Sequence, residues 1–209
     1  MQNIIDALNW RYAVKTFDPA KSVSDESFRM ILEAGRLAPS SFGIESWKFI
    51  VVENPELRAK LRAVSYGQTK VTDATHIVVM AARTDVSALA GELVERTARI
   101  QGVDAASLDG LKNMVDGYVA GMSAEKALAY AREQTFIALG MMVETAALLG
   151  VDSCPMGGFD QAGVDALLGL SAQNLTACSM LAVGYRGDDE TASRPKVRRA
   201  FDEVVEFVR

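Results

Sequence analysis

The sequence has 209 residues, a net charge of -5 and a pI of about 5.0, with 49% hydrophobic and 23% charged residues. This balance is typical of a folded protein, so we expect one domain over residues 1–209. The negative charge argues against nucleic acid as a partner, because a polyanion would be repelled. No apolar run approaches the roughly 20 residues of a membrane span, and no export signal is recognisable, so a cytoplasmic protein with no membrane partner is expected.

The contents of cysteine and histidine narrow the possible chemistry. Cys154 and Cys178 are the only cysteines, and without an export signal they predict free, buried thiols rather than a disulfide. His76 is the only histidine, which excludes a His-rich metal site and leaves a single candidate base for a Ser-His or Cys-His nucleophile. We therefore expect no metal and a satisfied structural role for His76, which begins a strand-like run.

The first half of the chain predicts alternating helices and strands. Ile4, Ile5 and Leu8 share one helical face, and a loop with basic residues follows from Arg11 to Pro19. Ser24 is a typical N-cap for a helix that ends before Pro39. Strands are predicted at 47–52 and 76–82, with a helix after the Asn54-Pro55 cap between them.

The second half predicts two helices, at 89–100 and 108–122, and then a proline-free helix from Ser123 to Leu149 that would be about 40 Å long. Because apolar residues surround much of its circumference, it is either a core helix or the spine of a dimer, and we favour the dimer. Strands at 151–154 and 179–185, a capped helix at 160–168 and an ambiguous strand at 201–208 complete an α+β or α/β pattern.

Two features outside the regular elements could carry chemistry. Neither Gly-x-Gly-x-x-Gly nor a Walker motif is present, which argues against a Rossmann or P-loop site. Basic residues near both ends of the chain could converge on an anion, although such charges are often a solvated surface. Gly157-Gly158 after a strand is either a plain turn or a place where the backbone approaches a flat ligand.

Four blocks in the same order resemble the FMN-dependent nitroreductase family over nearly the whole chain. They are Arg11-Tyr12-Ala13-Val14-Lys15-Thr16-Phe17-Asp18, then Ala38-Pro39-Ser40-Ser41 ahead of Trp47-Lys48-Phe49-Ile50-Val51, then Pro155-Met156-Gly157-Gly158-Phe159-Asp160, and finally Lys196-Val197-Arg198. The resemblance implies an α+β fold, with a central mixed β-sheet flanked by helices. It also implies an intertwined homodimer with a long interface helix, a C-terminal strand added to the partner's sheet, and two FMN sites at the interface.

The resemblance also assigns roles to residues of the first and last blocks. Arg11, Lys196 and Arg198 would hold the FMN phosphate, and Tyr12 and Ala13 would follow the ribityl chain. Lys15 would face the N1 and O2 edge of the flavin, where its charge stabilises the reduced ring. The mid-chain polar contacts to the pyrimidine edge would come from Gln68 and Lys70.

The remaining cofactor residues would surround the flavin ring. Pro39, Ser40, Ser41 and Gly43 would come from the other subunit, while Pro155, Met156, Gly157 and Gly158 would back the ring, with a backbone N–H offered to N5. Lys15 and Gly157 are therefore the candidate catalytic positions, and Phe42 and Tyr118 the candidate acceptor pocket. The run from Phe42 to Ser46 and the alanine at position 13 depart from the family pattern.

The implied activity is hydride transfer from NADH or NADPH, through flavin N5, to a nitroaromatic, a quinone or a similar small electron-poor acceptor in a ping-pong cycle. Because the flavin supplies the chemistry, the chain needs no general base. Three alternatives stay open: reduction of another electrophile such as an enal or aldehyde, a flavin-binding redox store or sensor without efficient turnover, and a protein that binds no cofactor.

Overall fold

The structure is a computed structural model that describes residues 4–209. Four strands form one sheet in the order β1-β2-β4-β3, and every neighbouring pair is antiparallel. Their bounds are β1 Trp47–Val51, β2 His76–Arg83, β3 Asp152–Met156 and β4 Leu175–Gly184. The long central strands β2 and β4 are therefore flanked by two shorter edge strands, β1 and β3.

The sheet differs in two places from the sequence-based expectation. β4 begins at Leu175 rather than at residue 179, because the buried polar side chains of Thr176 and Ser179 obscure an otherwise apolar run. β3 runs through Pro155, which an edge strand tolerates because the missing N–H need not enter the ladder.

A mixed sheet was expected, but all neighbouring strands of the sheet in this chain are antiparallel. The single parallel pairing in the described residues is an isolated bridge between Ala13 and Ser153. This bridge places the N-terminal loop beside the edge strand β3. The loop and the glycine pair that follows β3 therefore lie at the same edge of the sheet.

Eight α-helices surround the sheet in residues 4–209. Ser24, Asn54 and Ser123 accept hydrogen bonds from the first turns of their helices, as their sequence positions predict. The predicted cap Asp160 precedes its helix but makes no such bond from its side chain. The bounds are α1 Ile4–Trp10, α2 Asp25–Arg36, α3 Pro55–Ala63, α4 Lys70–Asp73, α5 Leu89–Gln101, α6 Asp109–Ala120, α7 Ala124–Leu148 and α8 Gln161–Leu168.

The core lies on both faces of the sheet, because alternate residues of each strand point to opposite sides. On one face, Leu61 of α3 and Val164 of α8 share a buried cluster with Ile77. On the other face, Ile31 of α2 and Met142 of α7 pack with Met80. A third cluster joins α5, α6 and the first turns of α7; its members include Leu89, Leu93, Val115, Val119, Tyr130 and Ala131.

α7 has the length expected and two different sides. One side, which includes Ala138 and Met142, is fully buried against the sheet, so the prediction of a core helix is confirmed for that side. The other side exposes Phe136 by 53% and Ile137 by 42%. The predicted role of α7 as a dimer spine therefore has an exposed apolar surface to support it. No helix within residues 4–209 is both long and apolar enough to cross a membrane.

The C-terminal segment does not form the strand expected at 201–208. A short 3-10 turn spans Phe201–Glu203, and the remaining residues are irregular and exposed. A strand requires a neighbour for its backbone groups, and nothing in the described part of the same chain pairs with this segment. Its alternating side chains, which include Phe201 and Phe207, are left in solvent.

The thiols and the histidine occupy buried or half-buried positions. Cys154 and Cys178 are both free and buried, as predicted. The ring of His76 stacks on Phe28 at 3.7 Å, but its Nε2 has no hydrogen-bond partner, so the prediction of a fully satisfied histidine is wrong for that atom. Burial, and secondarily the charge of Arg58, lowers the pKa of His76, which favours the neutral ring.

Gly184, the last residue of β4, tests how tightly the N-terminal loop packs on the sheet. An added Cβ would lie 2.7 Å from Cδ1 of Phe17 and 3.1 Å from the backbone N of Thr75. We expect Gly184→Ala to lower the free energy of unfolding by about 1–3 kcal/mol through overpacking, measured by chemical denaturation. Gly91→Ala in α5, where a Cβ meets open space, is the control and should be neutral or stabilising. Equal stability of the two variants would contradict this packing.

Candidate functional site

The loop after α1 is held against a segment that follows β4. The backbone N of Asp18 donates to the carbonyl of Tyr185 at 2.9 Å, and the N of Gly187 donates to Thr16 at 2.9 Å. An isolated antiparallel bridge between Phe17 and Arg186 lies between these bonds. The two ends of the chain are therefore adjacent, although about 170 residues separate them in sequence.

The carboxylate of Asp189 continues this contact toward the N-terminus. Its Oδ2 accepts from the Tyr12 hydroxyl and from the Lys15 backbone N, each at 2.9 Å. Its Oδ1 accepts from the backbone N and the hydroxyl of Thr191, at 2.9 and 2.5 Å. Desolvation opposes the charged form, but these hydrogen bonds outweigh it and hold the pKa of the Asp189 carboxyl well below its usual range.

A second acidic residue, Asp152, holds the same loop through an ion pair with Arg186. Asp152, at the start of β3, is almost fully buried and pairs with the guanidinium of Arg186 at 2.5 Å. That guanidinium also lies over the rings of Trp10 and Tyr12, at 4.4 and 4.8 Å from their centroids. The cation thus joins β3 to the end of α1 and to the loop that follows it.

Cations from the two ends of the chain meet at a cavity of about 360 Å³, where Arg194 accompanies the three that the resemblance assigns to the phosphate. Arg11, Lys196 and Arg198 line it, and the Lys196 ammonium donates to the Arg11 carbonyl. Burial, and then the nearby Arg198, lowers the pKa of Arg11; burial, followed by Arg11 and Arg198, lowers the pKa of Lys196. Within residues 4–209 no carboxylate forms an ion pair with any of the three, so the cluster has the electrostatic character of an anion site. The cavity is lined by Asn9, Trp10, Arg11, Tyr12, Ala13, Thr191, Ala192, Arg194, Pro195, Lys196, Val197 and Arg198.

The glycine pair follows β3, the strand that the Ala13–Ser153 bridge joins to the N-terminal loop. Gly157 and Gly158 are exposed, and a Cβ added to Gly157 would meet nothing within 4 Å. Of the residues before them, Pro155 is exposed, whereas the Met156 side chain is buried in the core, so only the Met156 backbone can face a ligand. The backbone at 157–158 thus offers an open surface on which a flat group could lie.

The two mid-chain polar residues contact β3 and the glycine pair that follows it. The Gln68 amide donates to the carbonyls of Gly158 and Ser65, at 2.7 and 3.0 Å. The Lys70 ammonium, at the start of α4, lies 3.5 Å from Sγ of Cys154 in β3. Lys15 is exposed, and its ammonium makes no hydrogen bond or ion pair with any other described residue. The structure therefore brings the first, third and fourth sequence blocks together with Gln68 and Lys70.

The second block forms a separate cluster. The Ser40 hydroxyl accepts from the Glu45 backbone N at 2.9 Å, and the Ser41 N donates to Gln134 at 2.8 Å. Phe42 and Gly43 have left-handed backbones, with φ of 55° and 73°. Such a conformation is rare for an aromatic residue and marks a constrained loop.

The aromatic ring of Phe42 meets that of Tyr118 at 5.3 Å, so the two candidate acceptor-pocket residues are in contact. Tyr118 in turn meets the buried Tyr130 of α7 at 5.6 Å. Neither a hydrogen bond nor a ring contact in the described residues joins this cluster, which also includes the exposed Pro39, to the cavity or to the glycine pair. Within one chain the two groups are separate.

Sequence reasoning missed the residues that connect the two ends of the chain, namely Asp152, Arg186, Asp189 and Thr191. Asp189 lies in a run of charged residues that reads as solvated surface, and Asp152 pairs with a residue 34 positions away. The one available signal was a carboxylate at the start of an apolar strand, where a charge needs a partner. In residues 4–209 no group of three or more His, Cys, Asp or Glu side chains is placed to hold a metal ion.

The pH dependence of Tyr12 tests the contact with Asp189. Desolvation, together with the hydrogen bond to Asp189 and its charge, raises the pKa of Tyr12 to about 12. A pKa raised on folding means that the stabilising contribution is complete below the unfolded value of about 10 and is lost as the pH rises through 12. The tyrosinate absorbance of the wild type minus that of Tyr12→Phe should titrate near pH 12, and a midpoint near 10 would contradict the contact.

Comparisons with known proteins give the family of this chain. Residues 8–185 match the model of the Nitroreductase family. A Staphylococcus saprophyticus protein that is named for NAD(P)H nitroreductase activity is 38% identical over 216 residues, which cover 99% of this chain and 97% of that protein. A crystal structure titled as an NAD(P)H:FMN oxidoreductase from Staphylococcus epidermidis ATCC 12228 has a TM-score of 0.87 at 21% identity, and covers 100% of this chain and 97% of its own. A nitroreductase from Exiguobacterium sibiricum 255-15, crystallised in complex with FMN, has a TM-score of 0.84 at 19% identity, with coverage of 100% and 98%. The chain belongs to the nitroreductase family.

Proposed function

We propose that this chain binds FMN and passes hydride from NADH or NADPH to a nitroaromatic, a quinone or a similar small electron-poor acceptor. The observation that carries the proposal is the convergence of Arg11, Lys196 and Arg198 on one cavity, where no carboxylate of the described residues forms an ion pair with any of them. Residues 1–209 form one FMN-binding domain in this proposal. The names of the relatives support FMN and NAD(P)H as the cofactor and the electron donor.

The three cations fit the phosphate of FMN. A phosphate monoester carries close to two negative charges and three acceptor oxygens, so it suits two guanidinium groups and an ammonium. Burial, and secondarily the mutual repulsion of the cations, lowers the pKa of Arg11 and of Lys196, and a bound dianion would favour the charged forms that these effects oppose. The cluster is thus more favourable with an anion than without one.

The loop from Arg11 to Lys15 leads from this cavity toward the glycine pair. The bridge between Ala13 and Ser153 fixes the loop along β3, and the glycines follow the end of that strand. A ribityl chain can lie along Tyr12 and Ala13, with the ring against Gly157 and Gly158, whose exposed backbone leaves room for it. The exposed ammonium of Lys15 is then available to the ring edge on which negative charge collects. When bound, FMN would accept and return hydride at N5, and the protein would supply position and charge.

We also propose that the working unit is a homodimer. Ile4 and Leu8 of α1 and Phe136 and Ile137 of α7 are exposed apolar side chains on helices that contact each other. The segment 201–208 has exposed apolar side chains as well, and it has no strand partner among residues 4–209 of its own chain. Burial of such surfaces against a second copy would remove apolar area from water. Sedimentation analysis should give a dimer, and a monomer at micromolar concentration would refute the assembly.

A dimer would also explain the separate position of the second block. Among the described residues, no hydrogen bond or ring contact joins the cation cavity to Pro39, Ser40, Ser41 and Gly43 or to the Phe42–Tyr118 pair. In the proposed dimer this loop faces the partner's flavin, and the two aromatic residues line the acceptor pocket. This would place residues of both subunits around each flavin.

The direct test is turnover of the purified protein reconstituted with FMN. The protein should be yellow, and it should oxidise NADH or NADPH steadily when menadione or nitrofurazone is added. Separate assays with the two nucleotides establish the donor. A protein that remains colourless after incubation with FMN would end the flavin proposal.

The acceptor panel separates the remaining alternatives. An enal and an aldehyde assayed beside the quinone and the nitro compound show whether another electrophile is preferred. Flavin binding without steady oxidation of NAD(P)H by any acceptor would favour a redox store or sensor and would refute the enzymatic proposal.

A further inference from the structure

We propose that Asp189 is a positioning residue that joins the two halves of the FMN phosphate site. The inference rests on the proposed function and adds a residue to it. Asp189 lies four positions beyond the last residue matched by the family model, and it is not among the residues that the sequence blocks single out.

The contacts of Asp189 show that it cross-links rather than neutralises. All four of its hydrogen-bond donors are uncharged, namely the Tyr12 hydroxyl, the Lys15 backbone N, and the backbone N and hydroxyl of Thr191. It forms no ion pair within the described residues, although four cations line the neighbouring cavity. A carboxylate that balanced the cluster would instead contact Arg11, Lys196 or Arg198.

Asp189 lies between the backbone hydrogen bonds that join the two segments and the cation cavity. The backbone bonds at Asp18–Tyr185 and Thr16–Gly187 hold the two segments together at one end. Asp189 is the next contact along both segments, and the bond from Lys196 to the Arg11 carbonyl lies beyond it. Asp189 therefore aligns Arg11, on the N-terminal segment, with Lys196 and Arg198, on the C-terminal one. Through the Lys15 N–H it also fixes the backbone from which the Lys15 ammonium extends.

The direction in which FMN affinity changes when Asp189 is replaced distinguishes a positioning role from a simple charge effect. Asp189 is negative, so its simple electrostatic influence on a nearby phosphate is repulsive, and its removal would tighten FMN binding on charge alone. If Asp189 positions the phosphate clamp formed by Arg11, Lys196 and Arg198, its replacement by asparagine weakens FMN binding. The single amide oxygen of asparagine cannot accept from all four donors. The two roles predict opposite changes.

The experiment is Asp189→Asn, with dissociation constants for FMN and for riboflavin, which lacks the phosphate. We expect FMN affinity to fall by about 10-fold or more, as charge-assisted hydrogen bonds are lost, and riboflavin affinity to fall by a smaller factor. Asp188→Asn is the matched control: it removes the same charge from an exposed neighbour whose side chain makes no hydrogen bond or ion pair among the described residues, and it should change FMN affinity by less than about 2-fold.

Two results would overturn the inference. FMN binding as tight as that of the wild type, or tighter, would show that Asp189 does not position the clamp. Equal losses for FMN and riboflavin would show that it acts only on general structure. Thr191→Val, which removes one donor and keeps the shape of the side chain, gives a milder second variant, and it should shift the two affinities in the same unequal way. If the wild type binds FMN and these variants behave like it, only this inference fails; if the wild type binds no FMN, the proposed function fails with it.

Discussion

Arg11→Ala should weaken FMN binding more than any other single change at the site. Arg11 is the cation of the N-terminal segment at the cavity, which Lys196 and Arg198 of the C-terminal segment also line. A charge-assisted hydrogen bond contributes about 1.5–3 kcal/mol, which corresponds to about a 10-fold to 150-fold rise in the dissociation constant. The measurement is fluorescence titration of the apoprotein with FMN at fixed salt.

Ionic strength provides the control for this prediction. A partly buried pair is screened less than an exposed one, so the loss in Arg11→Ala should persist as salt rises. Arg99→Ala removes an exposed arginine from α5 and should leave the dissociation constant within about 2-fold of the wild type. If Arg99→Ala and Arg11→Ala weakened binding equally, the cavity would not be the phosphate site.

Lys15→Ala should lower the reduction potential of the bound flavin more than it weakens FMN binding. The Lys15 ammonium is exposed and has no partner among the described residues, whereas its backbone N is fixed by Asp189. Next to a ring that becomes negative on reduction, the ammonium stabilises the reduced form. A loss of about 1.4 kcal/mol corresponds to a fall of about 30 mV for two electrons. The potential is measured by redox titration against a reference dye.

Lys15→Arg separates charge from shape in this prediction. It keeps the positive charge, so it should restore most of the potential that Lys15→Ala loses. Lys60→Ala, which removes an exposed lysine from α3, should leave the potential unchanged. An unchanged potential in Lys15→Ala would remove Lys15 from the electronic role that the family resemblance implies.

The local elements were predictable because their signals are local. The N-caps at Ser24, Asn54 and Ser123 and the apolar strands follow from neighbours a few residues away. The start of β4 was missed because polar residues inside it break the apolar pattern. The tail at 201–208 reads as a strand, but a pattern cannot supply the neighbouring strand that its backbone requires.

The residues assigned to the cofactor could be predicted from the sequence, whereas the residues that support them could not. The residues assigned to FMN came from blocks that resemble a family, and the structure brings Arg11 and Lys196 together across the length of the chain. Asp189 and the Asp152–Arg186 pair were missed, because such supporting contacts depend on distances that no local pattern encodes. The Met156 side chain is part of the core, so the expected contact of this residue with the flavin ring stays a prediction for its backbone alone.

Two half-reactions, followed without oxygen, test the central claim most directly. FMN-loaded protein is mixed with NADH or NADPH, and the flavin absorbance is recorded before and after an acceptor such as menadione is added. We expect the absorbance to bleach with the nucleotide alone and to return when the acceptor is added, with one acceptor molecule reduced per flavin. Loaded protein that keeps its absorbance with both nucleotides would contradict hydride transfer through a flavin held at this site.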